Sequence, residues 1–67
     1  MNARNIEKEV EVIEAVLGVL YRCSTLYRGI GDIRQYKETR ADIMIVEKEL
    51  RILIAEKEAE LNATREP

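Results

Sequence analysis

Hydrophobic residues recur along the first half of the chain at alternating intervals of four and three residues. This series keeps its spacing without interruption and comprises Ile6, Val10, Ile13, Leu17, Leu20, Ser24 and Tyr27. Such spacing is typical of the buried face of an α-helix. Asn2 or Asn5 can cap the start of that helix, and Glu7 and Glu9 suit its positively polarised first turn. We therefore predict a first helix over about residues 5–28.

A second hydrophobic series lies beside the first on the same helix. It consists of Val12, Val16, Val19, Cys23, Leu26 and Ile30. At about 100° per residue, this series sits roughly a quarter to a third of a turn around the helix from the first. The first helix therefore carries two apolar faces.

Helical periodicity breaks at the four residues Gly29-Ile30-Gly31-Asp32. Gly29 can take the left-handed conformation that ends a helix, and Gly31 lets the backbone reverse. Asp32 followed three residues later by Gln35 is typical of a capping box, which begins a helix. We expect a turn over residues 29–32.

A second helix is predicted over about residues 33–63. Its main apolar seam is flawed by charged members and comprises Ile33, Tyr36, Arg40, Ile43, Glu47, Leu50, Ile54, Lys57 and Leu61, with Val46 and Leu53 widening it. A further stripe on the far side consists of Ala41, Ile45, Ile52 and Ala59. The expected fold is all-α, a single two-helix antiparallel hairpin that spans residues 1–67.

Both helices carry more apolar surface than a lone hairpin can bury. Leaving Ile45 and Ile52 in water would forfeit roughly 1.5–3 kcal/mol each, which is a large share of the stability of so small a fold. We therefore expect a homodimer with an antiparallel four-helix arrangement. We assign its interface to Val12, Val16, Val19, Cys23, Leu26, Ile45 and Ile52. The alternative is a monomer with scattered surface aliphatics.

The composition argues against catalysis. The 67 residues include no histidine, the commonest general base and metal ligand, and a single cysteine, Cys23, which can form no internal disulfide. We expect no enzymatic activity, no cofactor and no metal site. The unpaired cysteine and the absence of an apolar leader favour the cytoplasm. Because every apolar run is too short to cross a bilayer, we expect no membrane partner.

Positive charge concentrates around the turn. Residues 21–40 hold five basic and two acidic side chains, a net charge of +3, whereas the residues before them sum to −2 and those after to −3. All three tyrosines lie in the same segment. Tyrosine and arginine dominate binding hot spots. Gly18 lies in the middle of the first predicted helix. A glycine there costs about 1 kcal/mol relative to alanine, and it can admit the backbone of a partner.

The predicted partner-binding residues are Gly18, Tyr21, Arg22, Arg28, Arg34, Tyr36 and Arg40. A structural alternative stays open, in which the tyrosines close the end of the bundle, the arginines are merely solvated and Gly18 lies on an exposed face without a role.

Two functional classes fit this pattern best, and a structural coiled-coil element is a further alternative. In the first, a dimer grips another protein and acts as an adaptor or inhibitor. In the second, the basic turn end binds nucleic acid. The isoelectric point near 5.1 and the acidic helices oppose the long-range attraction on which nucleic-acid binding relies. We therefore favour protein binding.

The chain also resembles the small host-takeover proteins of temperate bacteriophages. The resemblance rests on size, on the amphipathic stretch from Ile6-Glu7-Lys8-Glu9-Val10 to Tyr21-Arg22, and on the glycine turn. Among these proteins it is similar to the phage quorum-sensing anti-activators, which form homodimers of helical hairpins. The resemblance implies inhibition of a LuxR-type transcriptional regulator in the bacterial host cytoplasm, by occupation of its DNA-binding surface, and a pilus assembly ATPase as a second target. Other phage inhibitors, including anti-CRISPR proteins, share this size range.

Overall fold

Two helices joined by a tight turn make up the structure, a computed structural model that describes residues 4–65. Helix α1 spans Ile6–Ile30 and helix α2 spans Ile33–Arg65. They pack along each other as an antiparallel hairpin with extents of 56 × 20 × 16 Å. The predicted all-α hairpin is confirmed, whereas the four-helix arrangement stays a prediction.

Asn5 begins α1. Its backbone is extended, with φ −104° and ψ 91°, and its side-chain oxygen accepts a hydrogen bond of 3.1 Å from the Lys8 N–H. This bond satisfies one of the amides that an N-terminus leaves unpaired. Asn2, the other candidate cap, lies outside the described residues.

Gly31 closes α1 in the left-handed conformation, with φ 77°. The Gly31 N–H donates to the Arg28 carbonyl at 3.2 Å, and the Asp32 N–H donates to the Tyr27 carbonyl at 2.9 Å, which together form a Schellman motif. The expectation for Gly29 was wrong, because Gly29 lies within α1. A single left-handed residue is enough to satisfy the Tyr27 and Arg28 carbonyls, and Gly31 supplies it.

Asp32 serves both helices. Its backbone N–H closes α1, while its side-chain oxygen accepts a hydrogen bond of 3.2 Å from the Gln35 N–H and so caps α2. This half of the expected capping box is confirmed. In a complete capping box the Gln35 side chain would accept a hydrogen bond from the Asp32 N–H. That N–H donates to the Tyr27 carbonyl instead.

The core lies along a single seam between the helices. On α1 it matches the predicted first series, in which Ile6, Leu17 and Ser24 are buried and the other four members half-buried. On α2 the buried residues are Thr39, Ile43 and Leu53, and Ile43 is fully enclosed. The Thr39 hydroxyl donates to the Gln35 carbonyl at 2.8 Å, which lowers the cost of burying it.

The seam predicted on α2 was wrong at several positions. Arg40 and the aliphatic residues Ile33, Ile54 and Leu61 are exposed. The observed seam is instead Tyr36, Thr39, Ile43, Val46, Leu50 and Leu53. Thr39 takes the place of Arg40 because burying a guanidinium without a partner charge is costly, whereas a threonine hydroxyl can bond to its own helix.

Ion pairs join the helices at the open end of the hairpin. The Arg4 guanidinium donates to Glu9 of α1 at 2.6 Å and to Glu56 of α2 at 2.7 Å. The Lys57 Nζ of α2 lies 3.5 Å from the Glu7 Oε1 of α1. All these side chains are substantially exposed, so their contribution to stability is modest.

Replacing the fully buried Ile43 with alanine should destabilise the hairpin by about 2–5 kcal/mol, because a cavity replaces the removed methyl groups. The matched control is Met44→Ala at the neighbouring position, which is 68% exposed and should change stability by less than about 0.5 kcal/mol. Urea denaturation followed by circular dichroism measures both. Equal effects of the two substitutions would contradict the observed α2 seam.

The two glycines of the turn region should respond in opposite directions. Gly31→Ala should destabilise the hairpin by about 1 kcal/mol or more, because alanine disfavours a left-handed backbone. Gly29→Ala should stabilise it by about 0.5–1 kcal/mol, because Gly29 is helical and an added Cβ would meet no atom within 4 Å. Thermal unfolding of the two variants tests the assignment, and a stabilising Gly31→Ala would overturn it.

Candidate protein-binding surface

A continuous apolar strip on α1 is covered by no element among residues 4–65. We call Val12, Val16, Val19, Cys23, Leu26 and Ile30 the α1 stripe. Its aliphatic members are between 41% exposed, at Val16, and 75% exposed, at Ile30, and Cys23 is half-buried. From its first to its last residue the stripe runs about 27 Å, at 1.5 Å per residue. The hairpin thus leaves uncovered the second series that the sequence places on α1.

The α2 stripe, composed of Ala41, Ile45, Ile52 and Ala59, is exposed as well. Ile45 is 64% and Ile52 45% exposed. Both lie about 160–180° around α2 from the enclosed Ile43, at 100° per residue, so they point away from α1. Met44, at 68% exposure, adds an exposed apolar side chain that the sequence pattern did not single out.

An acidic row separates the two stripes. A groove of about 360 Å³ at the open end has Val12, Ile13 and Leu53 among its lining residues, together with Glu49 and Glu56. Val12 therefore borders the acidic residues of α2. Because Asp42 lies seven residues before Glu49, it falls on the same face of α2. The α1 stripe and the α2 stripe consequently do not merge into one apolar surface.

Tyr21 connects the helices on another side of α1. Its hydroxyl donates a hydrogen bond to the Glu47 carboxylate, and the ring is 42% exposed. This hydrogen bond, with smaller contributions from burial and the Glu47 charge, raises the pKa of Tyr21 above its ordinary value, while Arg40 acts in the opposite direction. Tyr21 therefore has a structural role and retains an exposed edge.

Four of the seven predicted partner-binding residues lie together. Gly18 is three residues before Tyr21 and four before Arg22, which places all three on one face of α1. Arg40 of α2 is close enough for its charge to act on Tyr21. We call Gly18, Tyr21, Arg22 and Arg40 the Gly18 patch. A Cβ on Gly18 would meet no atom within 4 Å, so packing within the chain does not require glycine there.

The other three predicted residues lie apart from this patch. Arg34 pairs with Glu38 at 3.6 Å on an exposed part of α2, about 120° around the helix from Arg40. Tyr36 is half-buried in the seam. Arg28 is exposed in the last turn of α1. Within the described part of the chain, Arg22, Arg28 and Arg40 form no ion pair.

Two further properties concern the described residues only. No three His, Cys, Asp or Glu side chains among them are arranged to hold a metal ion. Neither helix, as far as it is described, has an apolar segment long enough to cross a membrane.

The Tyr21 contact predicts a late-titrating tyrosine. Because Glu47 disfavours the tyrosinate, the folded chain should hold the Tyr21 proton to a higher pH than the unfolded chain does. The stabilisation is present below the unfolded pKa and is lost as pH rises through the folded pKa. Ultraviolet absorbance should show the late transition disappear in Tyr21→Phe and move to lower pH in Glu47→Gln. An unchanged titration in Glu47→Gln would contradict the contact.

Comparison with known proteins finds no matching family model, no matching curated protein and no matching solved structure.

Proposed function

We propose that this chain is a small protein-binding inhibitor or anti-activator, without enzymatic activity, that works as a homodimer on a protein of a bacterial host cell. The observation that carries the proposal is the uncovered α1 stripe. Contiguous exposed apolar surface of this kind marks interaction sites in soluble proteins. Fully burying one Val, Leu or Ile side chain contributes about 1.5–3 kcal/mol, so covering five partly exposed ones supplies a strong drive to associate.

The two surfaces have different compositions, which supports two different roles. The α1 stripe is aliphatic and fits self-association. The Gly18 patch combines an aromatic edge, two arginines and an opening above Gly18, which is the composition of a binding hot spot. We assign target binding to this patch.

The resemblance to phage quorum-sensing anti-activators supplies the first target to test. That target is a LuxR-type transcriptional regulator, approached through its DNA-binding surface, and a pilus assembly ATPase is the second. Both would be met in the bacterial cytoplasm.

Nucleic-acid binding through the basic turn end is the alternative function. Arg22, Arg28 and Arg40, which pair with no acidic side chain in the described part of the chain, favour it. Two features weigh against it, since Arg34 is engaged by Glu38 and the chain carries a net charge of −2. A phosphate track requires several cations on one continuous surface, and Arg34 and Arg40 lie on different sides of α2.

The test is capture of partners from a bacterial host lysate by the tagged chain, with and without nuclease, followed by mass spectrometry and by binding to the purified regulator. We expect a stoichiometric protein that survives nuclease. Arg22→Ala should reduce its capture at least tenfold, as truncation of a hot-spot residue does. Gly18→Ala should reduce capture while it stabilises α1 by about 1 kcal/mol.

The matched control is Arg51→Ala, which removes an exposed arginine of α2 outside the patch and should leave capture unchanged. Recovery of nucleic acid alone would replace the proposed function with the alternative. Equal capture by Arg22→Ala and Arg51→Ala would remove the Gly18 patch from the binding surface.

A further inference from the structure

The α1 stripe has the same spacing in both directions along the helix. Its intervals from Val12 to Ile30 are four, three, four, three and four residues. A second α1 that runs in the opposite direction can therefore match it layer by layer. The layers would pair Val12 with Ile30 of the second copy, Val16 with Leu26, and Val19 with Cys23. This match requires no shift of either helix.

The distribution of charge distinguishes this orientation from the parallel one. The hairpin is 56 Å long. Its turn end, residues 21–40, has a net charge of +3, while the segments before and after it, which meet at the open end, sum to −2 and −3. A parallel pair would place like-charged ends side by side. An antiparallel pair places the basic end of each copy beside the acidic end of the other, within the range over which charges interact in physiological salt.

The α2 stripe is a poorer surface for a second copy. It offers only two large aliphatic side chains, Ile45 and Ile52, whereas the α1 stripe offers five. Asp42 and Glu49 lie beside it on the side that faces the α1 stripe. Bringing two copies of α2 together would also place the net charge of −3 on residues 41–67 of one copy beside the same charge on the other. Like charges at an interface disfavour a complex.

We infer that the occupant of the α1 stripe is a second copy of this chain, with the two α1 helices antiparallel and a two-fold axis that passes at the level of Tyr21. The inference rests on the proposed function, because it presumes that the chain self-associates, and it fixes the surface and the orientation. Ile45 and Ile52, which the sequence pattern assigned to the interface, then lie outside it. Gly18 and Tyr21 lie about 120° and 180° around α1 from the centre of the stripe, so both face away from the interface, whereas Arg22, about 80° from that centre, lies beside it.

Pulsed electron paramagnetic resonance on the full chain tests the orientation. Two variants in a Cys23→Ser background each carry one nitroxide, at Glu11→Cys or at Arg22→Cys, both on exposed positions beside the stripe. In the antiparallel pair the two Glu11 positions lie about 30 Å apart along the axis, because twenty residues separate them at 1.5 Å per residue. The two Arg22 positions lie within about 20 Å, since packed helices are 8–10 Å apart.

We expect a long distance for Glu11→Cys and a short one, seen as spectral broadening, for Arg22→Cys. Two short distances would establish the parallel orientation, and two long ones would establish an interface elsewhere, such as the α2 stripe; either result overturns the inference. Light scattering first confirms that each labelled variant has the mass of the unlabelled chain. A monomeric unlabelled chain would refute both the inference and the dimer on which it rests, while the capture experiment still decides target binding separately.

Discussion

A pair of helices has only one shared face, and the rest of this structure depends on that constraint. Leu17 and Ile43 lie on the shared face and are enclosed, but each helix is long enough to carry a second apolar strip that the other cannot reach. The core therefore contains few fully buried side chains, as expected for a short chain. Caps at Asn5 and Asp32 and the closure at Gly31 satisfy some of the backbone groups that the helix ends leave unpaired, and exposed ion pairs at the open end add little. In the proposed dimer, further stabilisation comes from covering the α1 stripe.

The sequence pattern is sufficient for α1 and insufficient for α2, for a physical reason. On α1 the spacing of apolar residues is uninterrupted, so one buried face fits it. On α2 isoleucines occur on several faces, and counting apolar residues favoured a seam through Arg40 and Ile54. Burying the Arg40 guanidinium is costly, whereas a buried Thr39 hydroxyl can bond within its own helix. That difference favours the neighbouring seam through Thr39. The choice between Gly29 and Gly31 could not be made locally, since either glycine can adopt the left-handed conformation.

The candidate surfaces were predictable to different degrees. The α1 stripe follows from periodicity, and its exposure agrees with the sequence analysis. The Gly18 patch depends on the register between the helices. That register brings Glu47 and Arg40 of α2 beside Tyr21 of α1, although Glu47 is 26 residues away in sequence. No local pattern encodes that register. Arg34 and Arg40, by contrast, were grouped by residue type and charge alone, although their separation of six residues places them about 120° apart around α2.

If association covers the α1 stripe, the molar mass of the chain in solution must exceed that of a single chain. Light scattering at micromolar concentration should give twice the chain mass of 7.8 kDa. Val16→Asp should give a single chain mass with unchanged helicity, because a buried carboxylate in the stripe opposes association. Met44→Asp, an equally drastic change at an exposed site outside the stripe, should remain dimeric. A wild-type mass of 7.8 kDa, or a dimer that survives Val16→Asp, would show that association does not cover the α1 stripe.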